Sequence, residues 1–114
     1  MKYVIAIIQP HRLEDVRDAL VGLDIAAFTA SEVRRFGDSE EHTEFYRAAE
    51  FNVGFLPKTK IEFAVSDALA EQAVKALRDA ATTGSIGDGR IYVLDLAQTV
   101  QIKSGKIDAD VAAL

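Results

Sequence analysis

The sequence predicts an α+β domain whose elements run strand, helix, strand, strand, helix, strand. Three observations lead there. Two segments carry apolar residues at three- and four-residue steps, four others carry alternating or β-branched apolar residues, and glycine, proline or serine marks the junctions. At 114 residues, the chain is sized for one compact domain over 1–114 that can bury a modest core without covalent staples.

The first strand is expected at 2–9, where Val4, Ile5, Ala6, Ile7 and Ile8 put apolar side chains on both faces. One face should meet helices and the other a neighbour. This run is too short for a secretory core or a membrane span, and Gln9-Pro10 ends it. Leu13, Val16, Leu20 and Leu23 then form the stripe of an amphipathic helix over about 11–23, with Arg12, Glu14, Asp15, Arg17 and Asp18 on its polar side. A second extended stretch follows at 25–36, where Phe28, Ala30 and Val33 are interleaved with Thr29, Ser31 and Glu32 before Gly37.

From 38 to 55 the pattern dissolves into a polar, mostly acidic segment, within a long loop of about 37–57. Loops of this length in compact domains are usually functional or disordered. A half-exposed strand is expected at 58–65, Lys58, Lys60 and Glu62 alternating with Thr59, Ile61 and Phe63, which makes Lys58 a solvated lysine on local sequence alone. The hydroxyl of Ser66 is placed to cap the next helix, striped by Leu69, Ala73, Val74, Leu77 and Ala81 and ended by Thr82-Thr83-Gly84. A strongly apolar fourth strand is expected at 90–96, then a short extended tail at 100–103 within a C-terminal segment of about 100–114.

This order is the ferredoxin-like split βαβ arrangement, in which two helices cover one face of a four-stranded sheet. The second face needs cover too, and on so small a domain other subunits are the expected source. The arrangement alone names no function.

Composition narrows the choice. The absence of cysteine excludes disulfides, thiolate metal sites and a thiol nucleophile, leaves His11 and His42 as the only imidazoles, and fits a reducing cytoplasm. A net charge of -5 argues against nucleic acid as a partner, which needs a positive footprint. No residue set resembles a nucleophile with an oriented base, so no enzymatic turnover is assigned.

Gly84, Gly87 and Gly89 lie in one connection and Arg90 follows at once. Successive backbone N–H groups beside a cation can cradle phosphate. Asp-Gly before a strand is also an ordinary turn, and local sequence leaves both readings open.

The run Thr83-Gly84-Ser85-Ile86-Gly87-Asp88-Gly89-Arg90-Ile91 closely resembles the C-terminal signature of PII signal-transduction proteins, Tyr92 being a mild departure. His42-Thr43-Glu44-Phe45-Tyr46-Arg47-Ala48-Ala49-Glu50-Phe51 resembles the family's T-loop signature, and Phe55-Leu56-Pro57-Lys58 its exit. The similarity runs without an obvious gap from Met1 to about Lys106.

The resemblance implies a homotrimer that binds ATP or ADP in clefts between subunits. Each cleft is expected where the T-loop base of one subunit meets its glycine-rich loop and a neighbour's C-terminal segment. Thr29, Glu62 and Ala64 would lie near adenine; Gly37, Gly87, Asp88, Gly89 and Arg90 would approach ribose and phosphates; Lys103 would reach in from the next chain. Without the resemblance, Thr29, Glu62 and Ala64 read as ordinary strand residues.

Departures qualify the match. Asp38 and Ser39 stand where the family usually has Arg and Gln; serine is a poorer magnesium ligand, so magnesium is doubtful. Gln101 and Lys103 replace arginines that grip phosphate with two parallel bonds. Lys58, which in the family pairs with the 2-oxoglutarate carboxylate, is present, so the effector stays open between 2-oxoglutarate and another small anion such as bicarbonate.

Tyr46, Arg47, Glu50 and Phe51 are expected on the partner-binding loop, and Phe51 stands where many bacterial relatives carry a uridylylated tyrosine. The implied partner is a membrane transporter such as an ammonium channel, or a metabolic enzyme, in nitrogen metabolism. The loop's acidity suits a partner with a basic surface. Two rivals are a bicarbonate sensor tied to adenylate state and a trimeric metal-tolerance protein; the second has few soft ligands here.

Overall fold

A computed structural model of the chain describes residues 1–37, 54–109 and 111. The expectations for Asp38, Ser39, Tyr46, Arg47, Glu50 and Phe51 fall outside the described residues.

The elements are β1 (Lys2–Ile8), a 3₁₀ turn (Pro10–Arg12), α1 (Leu13–Val21), β2 (Thr29–Phe36), β3 (Phe55–Val65), α2 (Asp67–Ala81) and β4 (Gly89–Asp95). The sheet order is β2-β3-β1-β4 with every pair antiparallel, the predicted ferredoxin-like arrangement. Alternate residues of the central strands, Val4, Ala6 and Ile8 with Ile61, Phe63 and Val65, point into a core closed by Val16 and Leu20 of α1 and Ala73 and Leu77 of α2. Both helices therefore lie on one face. Arg12 ties the start of α1 to the end of α2 by donating twice to the Ala80 carbonyl, at 2.9 and 2.6 Å.

On the other face Tyr3, Ile5 and Ile7 stand in register with Ala64, Glu62 and Lys60 on one side and Leu94, Tyr92 and Arg90 on the other. Tyr92 and Leu94 on the edge strand are 43% and 47% exposed.

Several boundaries differ from the sequence reading. The 3₁₀ turn precedes α1 because Pro10 at its first position needs no amide partner. β2 begins at Thr29 rather than 25: Asp24 turns the chain left-handed (φ 62°), and Ile25 drops fully buried into the core instead of pairing. β3 begins at Phe55, so the connection from β2 is 37–54 rather than 37–57. The β1 ladder ends at Thr59, so Pro57 has β2 alone beside it and its missing N–H leaves no β1 bond unmade. Phe36 and Phe55 form the last rung, their ring centroids 5.6 Å apart.

Ser66 takes the extended backbone of an N-cap, but its hydroxyl makes no capping bond; its carbonyl accepts from Leu69 and Ala70. The tail expected to extend over 100–103 folds back. Val100 bridges Ile107, the Gln101 amide donates to the Lys106 carbonyl at 2.9 Å, and the Asp108 carboxylate accepts from the Thr99 amide at 2.8 Å. Ile102 near the tip is fully exposed.

Gly89 enters β4 with φ 105°, and a Cβ there would stand 1.7 Å from the Ile7 carbonyl oxygen. Gly84 (φ 82°) has open space around its missing Cβ. Gly89→Ala should therefore cost at least about 3 kcal/mol, through backbone clash added to strain, and Gly84→Ala only about 1–2 kcal/mol. In the core, Leu77→Ala should cost about 2–5 kcal/mol, while Ile102→Ala should stay within about 0.5 kcal/mol. Denaturant unfolding curves check all four, and equal effects of the two alanines at glycine would contradict the clash.

Candidate functional site

Two clefts gather the predicted site residues, one at each end of the open sheet face. The first, about 420 Å³, lies between the turn before β4 and the outer end of the β2–β3 ribbon, and its lining includes Arg35, Gly37, Lys58, Gly87, Asp88, Gly89 and Arg90. The second, about 620 Å³, holds Tyr3, Phe28, Thr29, Glu62, Ala64 and Lys103 under the folded-back C-terminal segment. Both volumes suit a small ligand.

The first cleft is built to receive an anion. Arg35 and Arg90 line it, and neither makes an ion pair or side-chain hydrogen bond among the described residues. Gly37, the last described residue before the long connection, also lines the cleft, and among the described residues nothing lies within 4 Å of where its Cβ would stand. Lys58 corrects the local-sequence expectation of a solvated lysine: it is 2% exposed, and its ammonium donates to the Gly87 carbonyl at 2.8 Å and to Gln9 Oε1 at 3.2 Å. A buried ammonium is tolerable only where oxygens replace its water, and these two are part of the replacement. Lys58 thereby holds the back of the glycine loop.

Asp88 is the single carboxylate among the described residues of this cleft. It is turned inward. Its Oδ2 accepts from the Thr83 and Gly84 amides at 2.8 and 3.0 Å, and its Oδ1 accepts from the Thr83 hydroxyl. Partial burial alone pushes this carboxyl up, but the Thr83 hydroxyl, the two amides and the Thr82 hydroxyl together hold it below the ordinary carboxylate value.

The second cleft combines apolar walls, among them Phe28, Phe63 and Ile102, with the polar side chains of Tyr3, Thr29, Glu62 and Lys103. Glu62 is fixed from two sides, accepting from the Tyr3 hydroxyl at 3.0 Å and facing the Lys60 ammonium at 3.6 Å. Burial, then the hydrogen bond to Glu62 and its charge, push the Tyr3 phenol up. Thr29 stands directly opposite Glu62 across the β2–β3 ladder, with Ala64 two residues on along the same face.

Lys103, expected to reach a neighbouring chain's glycine loop, lines the cleft of its own Thr29, Glu62 and Ala64, and its own glycine loop lies at the opposite end. Ile8 opposes Gly89 and Tyr3 opposes Ala64, five residues along β1, which is roughly 17 Å. Sequence reasoning missed Arg35 and Tyr3. Alternation signals Arg35: residues 29, 31, 33 and 35 of β2 share the face of Lys58, Lys60 and Glu62. Nothing local singled out Tyr3, whose role depends on a partner 59 positions away.

The family described as "Nitrogen regulatory protein P-II" matches residues 1–106. The chain is 46% identical over 110 residues to the nitrogen regulatory protein P-II of Rhizobium etli, covering 96% of this chain and 98% of that protein. It is 46% identical over 114 residues to the nitrogen regulatory protein GlnK of Escherichia coli K12, covering the whole of both. Among solved structures, Arabidopsis thaliana PII bound to citrate superposes with a TM-score of 0.80 at 29% identity, covering 96% of this chain and 90% of that one. The chain belongs to the nitrogen regulatory protein P-II family of regulatory signal-transduction proteins.

Proposed function

We propose that this protein is a homotrimer that binds ATP or ADP in three inter-subunit clefts and uses nucleotide state to set the conformation of its long T-loop. The observation that carries the reading is the division of two complementary half-sites between opposite ends of one sheet face. One end offers cations and glycine backbone suited to phosphates. The other offers apolar walls and an oriented carboxylate suited to accept from the amino group of adenine. Packing the open face of one chain against a neighbour's covers exposed apolar surface and brings unlike halves together. Thr29, Glu62 and Ala64 then serve the base, while Lys103 from their own chain and Gly37, Gly87, Gly89 and Arg90 from the other approach the phosphates of a nucleotide shared by two chains.

Magnesium fits the described residues poorly. The one carboxylate among the described residues of the phosphate cleft already accepts several hydrogen bonds, so no step is assigned to the metal. Lys58 is proposed as the effector contact for 2-oxoglutarate or a smaller anion such as bicarbonate, because its ammonium links an anion site to the Gly87 carbonyl. Partner recognition is assigned to Tyr46, Arg47, Glu50 and Phe51, directed at an ammonium-channel-like transporter or a metabolic enzyme. No helix among the described residues is long and apolar enough to cross a membrane.

Arg90→Ala should weaken ATP binding by about 1.5–3 kcal/mol in calorimetry, the loss of a charge-assisted phosphate contact. Glu62→Ala should weaken it from the base side. Refolding equal amounts of the two variants together should restore full-affinity binding in about one quarter of the clefts if each cleft draws its halves from different chains. No restoration would place both halves of a site in one chain. Light scattering should give three times the chain mass, and a stable monomer at micromolar concentration would overturn the shared cleft.

A further inference from the structure

The inward turn of Asp88 points to a role distinct from ligand contact. Both its oxygens face the front half of the loop: Oδ2 the Thr83 and Gly84 amides at 2.8 and 3.0 Å and the Thr82 hydroxyl at 3.4 Å, Oδ1 the Thr83 hydroxyl. The Thr83 hydroxyl oxygen in turn accepts from the Ser85 amide at 3.2 Å. One carboxylate thus organises three consecutive residues, while Lys58 fixes the Gly87 carbonyl next to it from the far side.

A carboxylate aimed into a phosphate cleft would repel its ligand. Here the same charge is consumed by local donors, and the loop between residues 83 and 88 closes around it. We propose that the Asp88 carboxylate is a positioning group of the phosphate cleft, moulding the loop that presents Gly87, Gly89 and Arg90 without itself touching nucleotide. The assignment rests on the nucleotide reading above and deepens it.

The chemistry distinguishes this role from direct contact and from general support of the fold. In Asp88→Asn, the amide oxygen still accepts from the Thr83 and Gly84 amides, and the amide nitrogen donates to the Thr83 hydroxyl oxygen. Asp88→Ala removes every acceptor at once.

The test is calorimetry on the full chain with ATP and with adenosine, beside amide hydrogen exchange at Thr83 and Gly84. Asp88→Ala should weaken ATP at least about tenfold, leave adenosine within about twofold and speed exchange at both amides, whereas Asp88→Asn should keep ATP within about threefold. Thr83→Val, which removes one hydroxyl bridge, should lower ATP affinity in the same direction by less and carries the test if Asp88→Ala does not fold. Equal losses in the Asn and Ala variants would overturn the inference in favour of a direct role for the charge. Unchanged or tighter ATP binding by Asp88→Ala, or a parallel loss of adenosine, would overturn it as well. Failure of the unaltered chain to bind ATP would overturn the nucleotide reading and the inference with it.

Discussion

The double pairing of β1 is the constraint on which the rest of the molecule depends. Every residue from Lys2 to Ile8 has a partner on both β3 and β4, so the strand's register fixes both neighbours at once. Its two side-chain sets do different work. Val4, Ala6 and Ile8 seat the helices, while Tyr3, Ile5 and Ile7 line the open face. A slip of one residue would exchange these sets, exposing the core row and carrying Tyr3 away from Glu62. At one end, the Ile7 carbonyl sets the backbone approach that only Gly89 can meet; at the other, the Tyr3 hydroxyl orients Glu62. The strand therefore measures the separation between the clefts.

Charge is distributed with the same economy. The chain carries a net charge of -5, yet the cleft beside the glycine loop gathers Arg35, Lys58 and Arg90 with, among the described residues, one carboxylate that is turned inward. Global acidity and a locally cationic cleft are compatible because exposed charges beyond roughly 8–10 Å are screened at physiological salt, whereas groups lining a cleft are screened much less. Lys58 shows what this arrangement demands. Removing its ammonium would leave the Gly87 carbonyl short of a donor, so its charge and the loop's shape are one feature.

Much of this was legible in the sequence, and the failures share a cause. Both helices, four strands and their order followed from periodicity, because Leu13, Val16 and Leu20 or Leu69, Ala73 and Leu77 make sense only at helical spacing. Residues 25–28 were misread as strand, since an apolar residue that plugs a core looks like one that pairs. Lys58 read as solvated because alternation reports which face a side chain occupies but not what covers that face. Burial there comes from Gln9 and Gly87, 49 and 29 positions away. The motif brings Asp88 into the loop, and the geometry adds what local sequence does not show, that its carboxylate accepts from Thr83 and Gly84. Motifs name the loop; they do not say which way its side chains turn.

The position of the long connection joins these points. Gly37 at its start and Leu56 just past its end both line the cleft that also holds the glycine loop. No relay through the core is required between a phosphate in that cleft and the base of the connection, because they share a wall. A ligand can shift any equilibrium only by binding its states unequally, and direct contact at Gly37 is the shortest physical route from the cleft to such a difference. The distant cleft contributes otherwise. If its Glu62 selects the base from a second chain, a nucleotide is held fully only where two chains meet, and binding strengthens assembly by mass action. Loop state and subunit contact would then answer to the same molecule, the phosphate end acting on the loop and the base end on the interface.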